Sequence, residues 1–343
     1  MNIPDYRKMP NGGVNSPRQS NMEALRIVAM LLVLLTHFAQ IHCVPSPQGL
    51  ASDTFATIVN LCLRSLSYVC VNCFILISGY FGIRWRVRSF ANLLFQIFFW
   101  IIFGVAVAAA LDFGFNESVS GACLSMLNGR WFIPAYISLY IMAPVINAFV
   151  EKATTKELLA YLLSFYAFST FFGYFMFSQE FNEGMSLISL IGIYLTGAYL
   201  RRGDMVLYKW KVRRSFIAYF LLGLLLVVMS IVALEMGISS SLYGYLNPVI
   251  ILQSVFLFLF FQGINIGRRK WINYVAASAF SVYLFHMHPL VYGKYKEICH
   301  WLIDETVPAL TLPILFAAIF AFCTLVDHFR LAVFSGACRL FKI

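Results

Sequence analysis

The chain has 343 residues, of which 61% are hydrophobic and only 12% are charged. A soluble domain is typically about 45–50% apolar and about 25% charged, so this composition excludes an ordinary soluble enzyme and indicates a polytopic membrane protein. The net charge of +10 does not indicate a nucleic-acid partner, because the basic residues of a membrane protein collect in its cytoplasmic loops.

The N-terminal segment, residues 1–20, is polar and contains Pro, Gly, Asn and Ser residues, which is typical of a disordered cytoplasmic tail. The apolar run that follows is longer than the core of a signal peptide, and no small-residue cleavage site follows it. We therefore expect this run to stay in the protein as its first membrane anchor.

Ten apolar segments have about the length, 17–25 residues, that a membrane-spanning helix needs. They cover residues 22–41, 56–82, 89–111, 131–150, 157–178, 185–200, 215–236, 247–266, 272–292 and 309–333.

The charges of the connecting loops support this count. Lys and Arg residues are concentrated in alternate loops, and the loops between them carry only Arg130, Lys294 and Lys296 as basic residues. Because basic loops stay in the cytoplasm, the alternation predicts an all-α protein with about ten membrane helices and both termini cytoplasmic. We expect one membrane domain over residues 21–334 and a short cytoplasmic tail at 335–343.

Two ionisable residues, Arg26 and His37, lie on the first predicted span. Their separation of eleven residues is close to three full turns, so both side chains lie on the same face, roughly 16 Å apart along the axis. Half the hydrocarbon thickness is about 15 Å, which puts His37 near the bilayer midplane when Arg26 is at one interface. Intramembrane ionisable groups are functional candidates. The alternative is a structural, hydrogen-bonded His37 with Arg26 as an interfacial anchor.

The second span ends in Ser78-Gly79-Tyr80, and Arg84, Arg86 and Arg88 follow in the next loop. Three Arg residues at alternate positions of an extended loop can converge on phosphate groups, since each guanidinium presents a fork of donors. The alternative is a plain topology signal or a contact with anionic lipid headgroups.

Further candidates lie in or beside other spans. Arg64 is an intramembrane cation in the second span and is expected to pair or to face a wet cavity. Arg130 precedes the fourth span at its outer end, where it can meet an acceptor or snorkel to the interface. His286 and His288 point in directions about 200° apart on a helix, so only one of them can face a site unless Pro289 distorts the helix.

No sequence motif indicates a metal or nucleotide hydrolysis. Cys70 and Cys73 form a single Cys-x-x-Cys pair inside a predicted span, which is a weak metal or redox signal without a second pair. The chain contains no Walker loop, zinc-protease motif, serine-hydrolase elbow or dinucleotide fingerprint. We expect no metal.

Four segments together resemble the acyltransferase 3 family of integral membrane acyltransferases, and the resemblance covers residues 21–334. They are Arg26-x10-His37, the SGYF turn at 78–81 with Arg84-x-Arg86, the WF…YISLY…P segment at 131–144, and SAFSVYLFHMHP at 278–289.

The resemblance implies about ten membrane helices and transfer of an acyl group, most often acetyl, from cytoplasmic acyl-CoA. It implies a sugar hydroxyl of a surface polysaccharide or lipid-linked glycan as acceptor, membrane lipids as surroundings and a bacterial inner membrane as location. His37 is then the catalytic residue, as general base or as acyl carrier, and Arg26 supports it. The expected acetyl-CoA site is Arg84, Arg86 and Arg88, and the expected substrate-binding residues are Arg64, Arg130, Tyr136, Tyr283 and His286.

The alternative function is a secondary transporter or flippase, in which His37 would be a proton relay. The sequence shows no internal repeat of paired broken helices, which is the pattern expected of many transporters.

Overall fold

The computed structural model describes residues 19–112, 119–176, 178–203, 212–238 and 242–341. These residues form α-helices joined by turns, with one π-helical and one 3-10 turn and no strand among them, in agreement with the predicted all-α class. The helices are α1 Ser20–His42, α2 Pro47–Ser52, α3 Thr54–Ser67, α4 Cys70–Phe81, α5 Val87–Ala110, α6 Val119–Gly129, α7 Phe132–Lys152, α8 Thr155–Thr170, α9 Leu187–Arg201, α10 Val212–Glu235, α11 Pro248–Gly263, α12 Lys270–Ala276, α13 Ala279–His286, α14 Pro289–Glu305 and α15 Pro308–Phe341.

Six helical segments of the described chain are long and apolar enough to cross a membrane, so the protein is an integral membrane protein. They match six of the predicted spans and comprise Ser20–His42, Thr54–Phe81, Val87–Ala110, Phe132–Lys152, Val212–Glu235 and Pro308–Arg339. Two shorter apolar helices, α9 and α11, match two further predictions. The total of ten spans and the cytoplasmic termini stay predictions.

Several predicted spans are broken helices. The segment predicted at 272–292 is divided between α12, α13 and α14, because the chain leaves the helix before Ala279 and again before Pro289. The second span is broken at Tyr68 and Val69, between α3 and α4. Freed backbone groups at such depths are tolerated only where the protein or a cavity satisfies them.

Polar caps and prolines fix where several helices start. Asn247 and His288 each accept a hydrogen bond from the helix they precede, and each is followed by Pro at the first helical position. A proline suits that position because its missing N–H has no partner within the helix. Thr154 and Glu157 cap α8 reciprocally in a capping box.

Helices α4 and α9 cross in close contact at two glycines. A Cβ atom at Gly79 would collide with the carbonyl group of Tyr194, and one at Gly197 would collide with the carbonyl group of Leu76. Only glycine permits this approach of the two backbones. The glycine of the Ser78-Gly79-Tyr80 turn therefore has a packing role, which brings the end of α4 and Tyr194 together.

Two loops without regular helix, residues 178–186 and 242–247, precede the short helices α9 and α11. They fold against each other: Gly184 has φ of 100°, and a Cβ there would lie 2.6 Å from Cβ of Tyr245. Asn72, near the start of α4, donates to the carbonyl oxygen of Tyr245 at 3.0 Å. These two loops, called the roof loops below, therefore lie within the bundle, beside the middle of the second span.

The predicted limits of the membrane domain and of its two tails stay predictions. Residues 1–18, on which the predicted tail falls, lie outside the described residues, and α1 already begins at Ser20. Residues 335–341, predicted as a tail after the last span, continue α15 as helix to Phe341.

Candidate active site

A cavity of about 620 Å³ lies inside the helix bundle. Its walls come from α1, α4, α5, α7, α13 and α14, from the breaks between helices and from both roof loops. The volume falls in the range of about 300–1,000 Å³ that is usual for small-molecule sites. Among the predicted site residues, those that line it are Arg26, His37, Arg130, Tyr136 and Tyr283.

One face of α1 forms a wall of this cavity from end to end. Arg26, Met30, Val33, His37 and Gln40 all line it, at steps of three and four residues that keep one helical face. The predicted common face of Arg26 and His37 is thus confirmed. Their eleven-residue separation within one straight helical segment corresponds to about 16 Å along the axis.

Arg26 is oriented by a neighbouring carboxylate. Its Nη1 lies 3.0 Å and 3.1 Å from the two carboxylate oxygens of Glu23, one turn earlier on α1. Glu23 is buried, whereas about a third of the Arg26 side chain is exposed. The ion pair therefore holds the guanidinium at the wall of the cavity.

His37 forms a dyad with His286 of α13. Nδ1 of His37 lies 2.9 Å from Nε2 of His286. Nδ1 of His286 in turn lies 2.6 Å from the carbonyl oxygen of Val282, one turn earlier on α13. His286 is 1% exposed, whereas His37 is half-buried and lines the cavity.

These contacts determine which ring nitrogens carry protons. A carbonyl oxygen can only accept, so His286 donates from Nδ1 to Val282, and its Nε2 accepts when the ring is neutral. His37 then donates from Nδ1 to His286. The remaining nitrogen, Nε2 of His37, has no hydrogen-bond donor among the described residues and keeps its lone pair. An unprotonated imidazole nitrogen at a cavity is able to accept a proton or to attack a carbonyl carbon.

Tyr283 and Arg130 lie near this dyad, and the Tyr283 ring meets the His286 ring edge to face at 6.0 Å. Nε of Arg130 donates to the carbonyl oxygen of Met287, the residue after His286, at 2.8 Å. The guanidinium carbon of Arg130 lies 5.3 Å from the centre of the Tyr292 ring, and this ring meets His37 edge to face at 6.3 Å. As predicted, Arg130 directly precedes the fourth span, in the break between α6 and α7, and it lies against the break between α13 and α14; that this end of the span is the outer one stays a prediction.

The remaining candidates lie outside the cavity wall. Arg64 donates to Asn60 at 2.8 Å and to the carbonyl oxygen of Cys43 at 3.3 Å, so it holds α3 against the end of α1. The side chains of Arg84, Arg86 and Arg88 are exposed in the loop and first turn between α4 and α5. The backbone of this loop is fixed, since Tyr140 and Asn147 of α7 donate to the carbonyl oxygens of Arg84 and Ile83.

The second of the two histidines, His288, lies after the end of α13 and caps α14, so the break in the helix and not a 200° divergence on one helix separates it from His286. Nε2 of His288 lies 3.1 Å from the carbonyl oxygen of Ile101, and its ring packs against Gly104 of α5. His288 does not line the cavity.

Gln40, Tyr68, Glu183 and Tyr245 are among the lining residues that were not sequence candidates. The sequence could have indicated Gln40, because this residue is polar and lies on the same face of α1 as His37, one turn further along the helix. It gives no such indication for Glu183 and Tyr245, because the sequence does not show that the roof loops enter the bundle.

No group of three or more His, Cys, Asp or Glu residues that could hold a metal ion occurs in the described ranges of the chain. Cys70 and Cys73 are free and buried.

The fold and the cavity define an integral membrane protein with a histidine pair at the wall of its candidate site. The family model of the acyltransferase 3 family, described as an acyltransferase domain, matches residues 19–328. The chain therefore belongs to this family, which supports O-acyl transfer to a hydroxyl of a glycan-type acceptor. Comparison with curated proteins and with solved structures gives no match.

Proposed function

We propose that the protein transfers an acyl group, expected to be acetyl, from cytoplasmic acyl-CoA to a hydroxyl of a cell-surface polysaccharide or lipid-linked glycan. We place it in the bacterial inner membrane. The observation that carries the proposal is Nε2 of His37, which has no described hydrogen-bond donor and belongs to a ring that lines the cavity, while Nδ1 lies 2.9 Å from His286.

The chemistry follows from that atom. A sugar hydroxyl is a weak nucleophile at neutral pH, and a positioned base makes it reactive. Nε2 of His37 takes the hydroxyl proton while the hydroxyl oxygen bonds to the thioester carbonyl carbon. The tetrahedral intermediate then releases the CoA sulfur, which takes the same proton back from His37. If His37 instead carries the acyl group, the same Nε2 attacks the thioester carbonyl carbon first, the C–S bond breaks and CoA leaves as a thiolate. The acceptor hydroxyl then attacks the acyl-His37 adduct, restores the neutral imidazole and gives its proton to the thiolate; without an acceptor the adduct accumulates.

Arg26 and Arg130 take separate roles, because they lie at different distances from the reacting atom. About 16 Å along α1 separates Arg26 from His37, more than an arginine side chain spans, so Arg26 guides the donor at the start of the cavity. Arg130 is hydrogen-bonded to the backbone of the residue after His286. It supplies a fixed positive charge near the position where the carbonyl oxygen of the thioester becomes negative. Arg84, Arg86 and Arg88 bind the CoA phosphates outside the cavity, at the end where Arg26 lies.

The experiment that tests the function is hydrolysis and transfer of acetyl-CoA by the purified protein in lipid nanodiscs. We expect slow acetyl-CoA hydrolysis without an acceptor, and a His37→Ala rate that is lower by about 10²–10⁴-fold. His288→Ala, two residues from His286 and outside the cavity, is the matched control. A wild-type protein that consumes no acetyl-CoA but moves protons or a glycan across the bilayer would establish the transporter instead.

A further inference from the structure

Beyond His37, on the side away from Arg26, the cavity is walled by aromatic rings. Tyr68 stacks on Tyr245, with ring centres 5.6 Å apart and planes at 29°. The ring centre of Trp131 lies 5.5 Å from that of Tyr245, and the ring centre of Tyr243 lies 5.4 Å from that of Tyr68. All four rings line the same cavity, and we call this part of it the aromatic chamber.

Two polar side chains reach into the aromatic chamber. Gln40, about 4.5 Å further along α1 than His37, donates to the hydroxyl oxygen of Tyr68 at 3.3 Å and leaves its side-chain oxygen free of described donors. Glu183 of the first roof loop also lines the cavity, and its backbone packs on Gly244, between Tyr243 and Tyr245. No described residue forms an ion pair or hydrogen bond with its carboxylate. The chamber thus combines flat apolar surfaces with unused hydrogen-bond acceptors.

The chamber is held in place before any ligand enters. Tyr243 donates to the carbonyl oxygen of Leu61 at 3.2 Å, and Asn72 donates to that of Tyr245 at 3.0 Å. The backbone of Glu183 is in the left-handed region, with φ of 53°, and its carbonyl oxygen packs against Gly244. A rigid site loses little conformational entropy on binding, which favours recognition of a specific shape.

We propose that the aromatic chamber is the subsite for a pyranose ring of the acceptor, an inference that rests on the proposed acyl transfer. One face of a pyranose presents C–H groups that pack on an aromatic ring, while its edge carries hydroxyl groups that donate to carboxylate and amide oxygens. Tyr245 and Trp131 provide the rings, and Glu183 and Gln40 provide the acceptors. Since Gln40 is one helical turn from His37, a sugar bound there extends a ring hydroxyl towards Nε2 of His37.

This combination is specific for a ring that is apolar on its faces and polar at its edge. An aliphatic chain would fit the rings but would leave the Glu183 carboxylate buried without a donor, which is costly. An open-chain polyol would satisfy Glu183 but has no flat face to cover Tyr245. The geometry therefore favours a cyclic sugar over both.

The test compares two acceptors with the purified protein and acetyl-CoA: methyl β-glucopyranoside and sorbitol, an open-chain polyol. We expect transfer to the pyranoside at a lower KM than to sorbitol. Tyr245→Leu should raise the KM for the pyranoside about tenfold, since an aromatic contact contributes up to about 1.5 kcal/mol. Tyr245→Phe, which keeps the ring, and acetyl-CoA hydrolysis in water should both stay near wild type. Glu183→Gln should raise the same KM without changing hydrolysis.

The outcomes separate the two proposals. A wild-type protein without acetyl-CoA hydrolysis contradicts the acyl transfer itself, and the subsite with it. Normal hydrolysis combined with no preference for the pyranoside, or with an unchanged KM in Tyr245→Leu and Glu183→Gln, overturns the subsite alone. A Tyr245→Leu protein that loses hydrolysis and transfer equally, with Glu183→Gln unchanged, shows that these residues only support the fold.

Discussion

Two polar clusters lie among the apolar helices, and both use side chains of α13. In the first, His286 holds His37 at the cavity and one nitrogen of His37 stays unpaired. In the second, Asp327 and Arg330 of α15 form an ion pair at 2.6 Å, and their side chains are 0% and 1% exposed. Ser281 of α13 donates a hydrogen bond to Asp327 at 2.6 Å.

In the second cluster, the hydrogen-bonding atoms of Asp327 and Arg330 all have partners. Oδ1 of Asp327 also accepts hydrogen bonds from Trp100 and Gln96 of α5, and Arg330 donates to Asn92 at 2.9 Å. The comparison shows that an ionisable residue inside the bundle is not by itself a functional site. A group whose hydrogen-bonding atoms are all used binds helices together, and a group that keeps one atom free at a cavity is available for chemistry.

The largest effect on folding is expected from a substitution in the cluster of Asp327 and Arg330. Asp327→Ala leaves the Arg330 guanidinium buried without its counter-charge, which should cost about 3–5 kcal/mol of stability. Thermal unfolding in detergent, followed by gel filtration, measures it. The double variant Asp327→Leu with Arg330→Met should recover most of that stability, because it removes both charges. A fully stable Asp327→Ala protein would contradict the structural role of the pair.

A smaller effect, on rate and not on folding, is expected at His286. His286→Phe removes the acceptor of the His37 Nδ1 proton, and loss of a bond of about 1–2 kcal/mol corresponds to a fall in kcat of about 5–30-fold. His286→Gln retains an acceptor oxygen and should recover part of the rate. His288→Gln is the matched control and should keep kcat. Equal losses of kcat at positions 286 and 288 would show that the comparison between cavity and core histidines is wrong.

The smallest effect is expected for charges that lie outside both clusters. Arg84→Ala with Arg86→Ala should raise the KM for acetyl-CoA by about fivefold, since two exposed ion pairs at about 0.5 kcal/mol each amount to about 1 kcal/mol. The KM of the wild type should also rise with salt. Replacement of Arg213 and Arg214, an equally basic exposed pair, is the control. The same change in KM for both pairs would leave Arg84 and Arg86 with a role in topology alone.

The sequence predicted the elements that follow from periodicity and length. The eleven-residue spacing of Arg26 and His37 gave their common face, and apolar length gave the six long helices. The breaks before Ala279 and Pro289 were not placed, because a window of hydropathy averages over a short interruption.

The partners of the candidate residues could not be predicted, because they depend on tertiary packing. The sequence left His286 and His288 as alternatives, and the packing of α13 against α1 and α5 decides between them. Arg64 was a candidate for substrate binding because of its intramembrane position alone. In the structure its guanidinium donates hydrogen bonds to Asn60 and to the carbonyl oxygen of Cys43. The burial of the Asp327–Arg330 ion pair likewise depends on the helices packed around α15.

The most direct test of the account is the single-turnover rate of acetyl transfer by His37→Gln. Glutamine keeps a hydrogen-bonding side chain at this position, so it preserves packing and contact with His286, but it cannot take the hydroxyl proton or carry the acyl group. We predict a protein that folds and binds acetyl-CoA like the wild type and transfers acetyl at least about 10²-fold more slowly. A well-folded His37→Gln protein with near-normal transfer would contradict the catalytic role of His37.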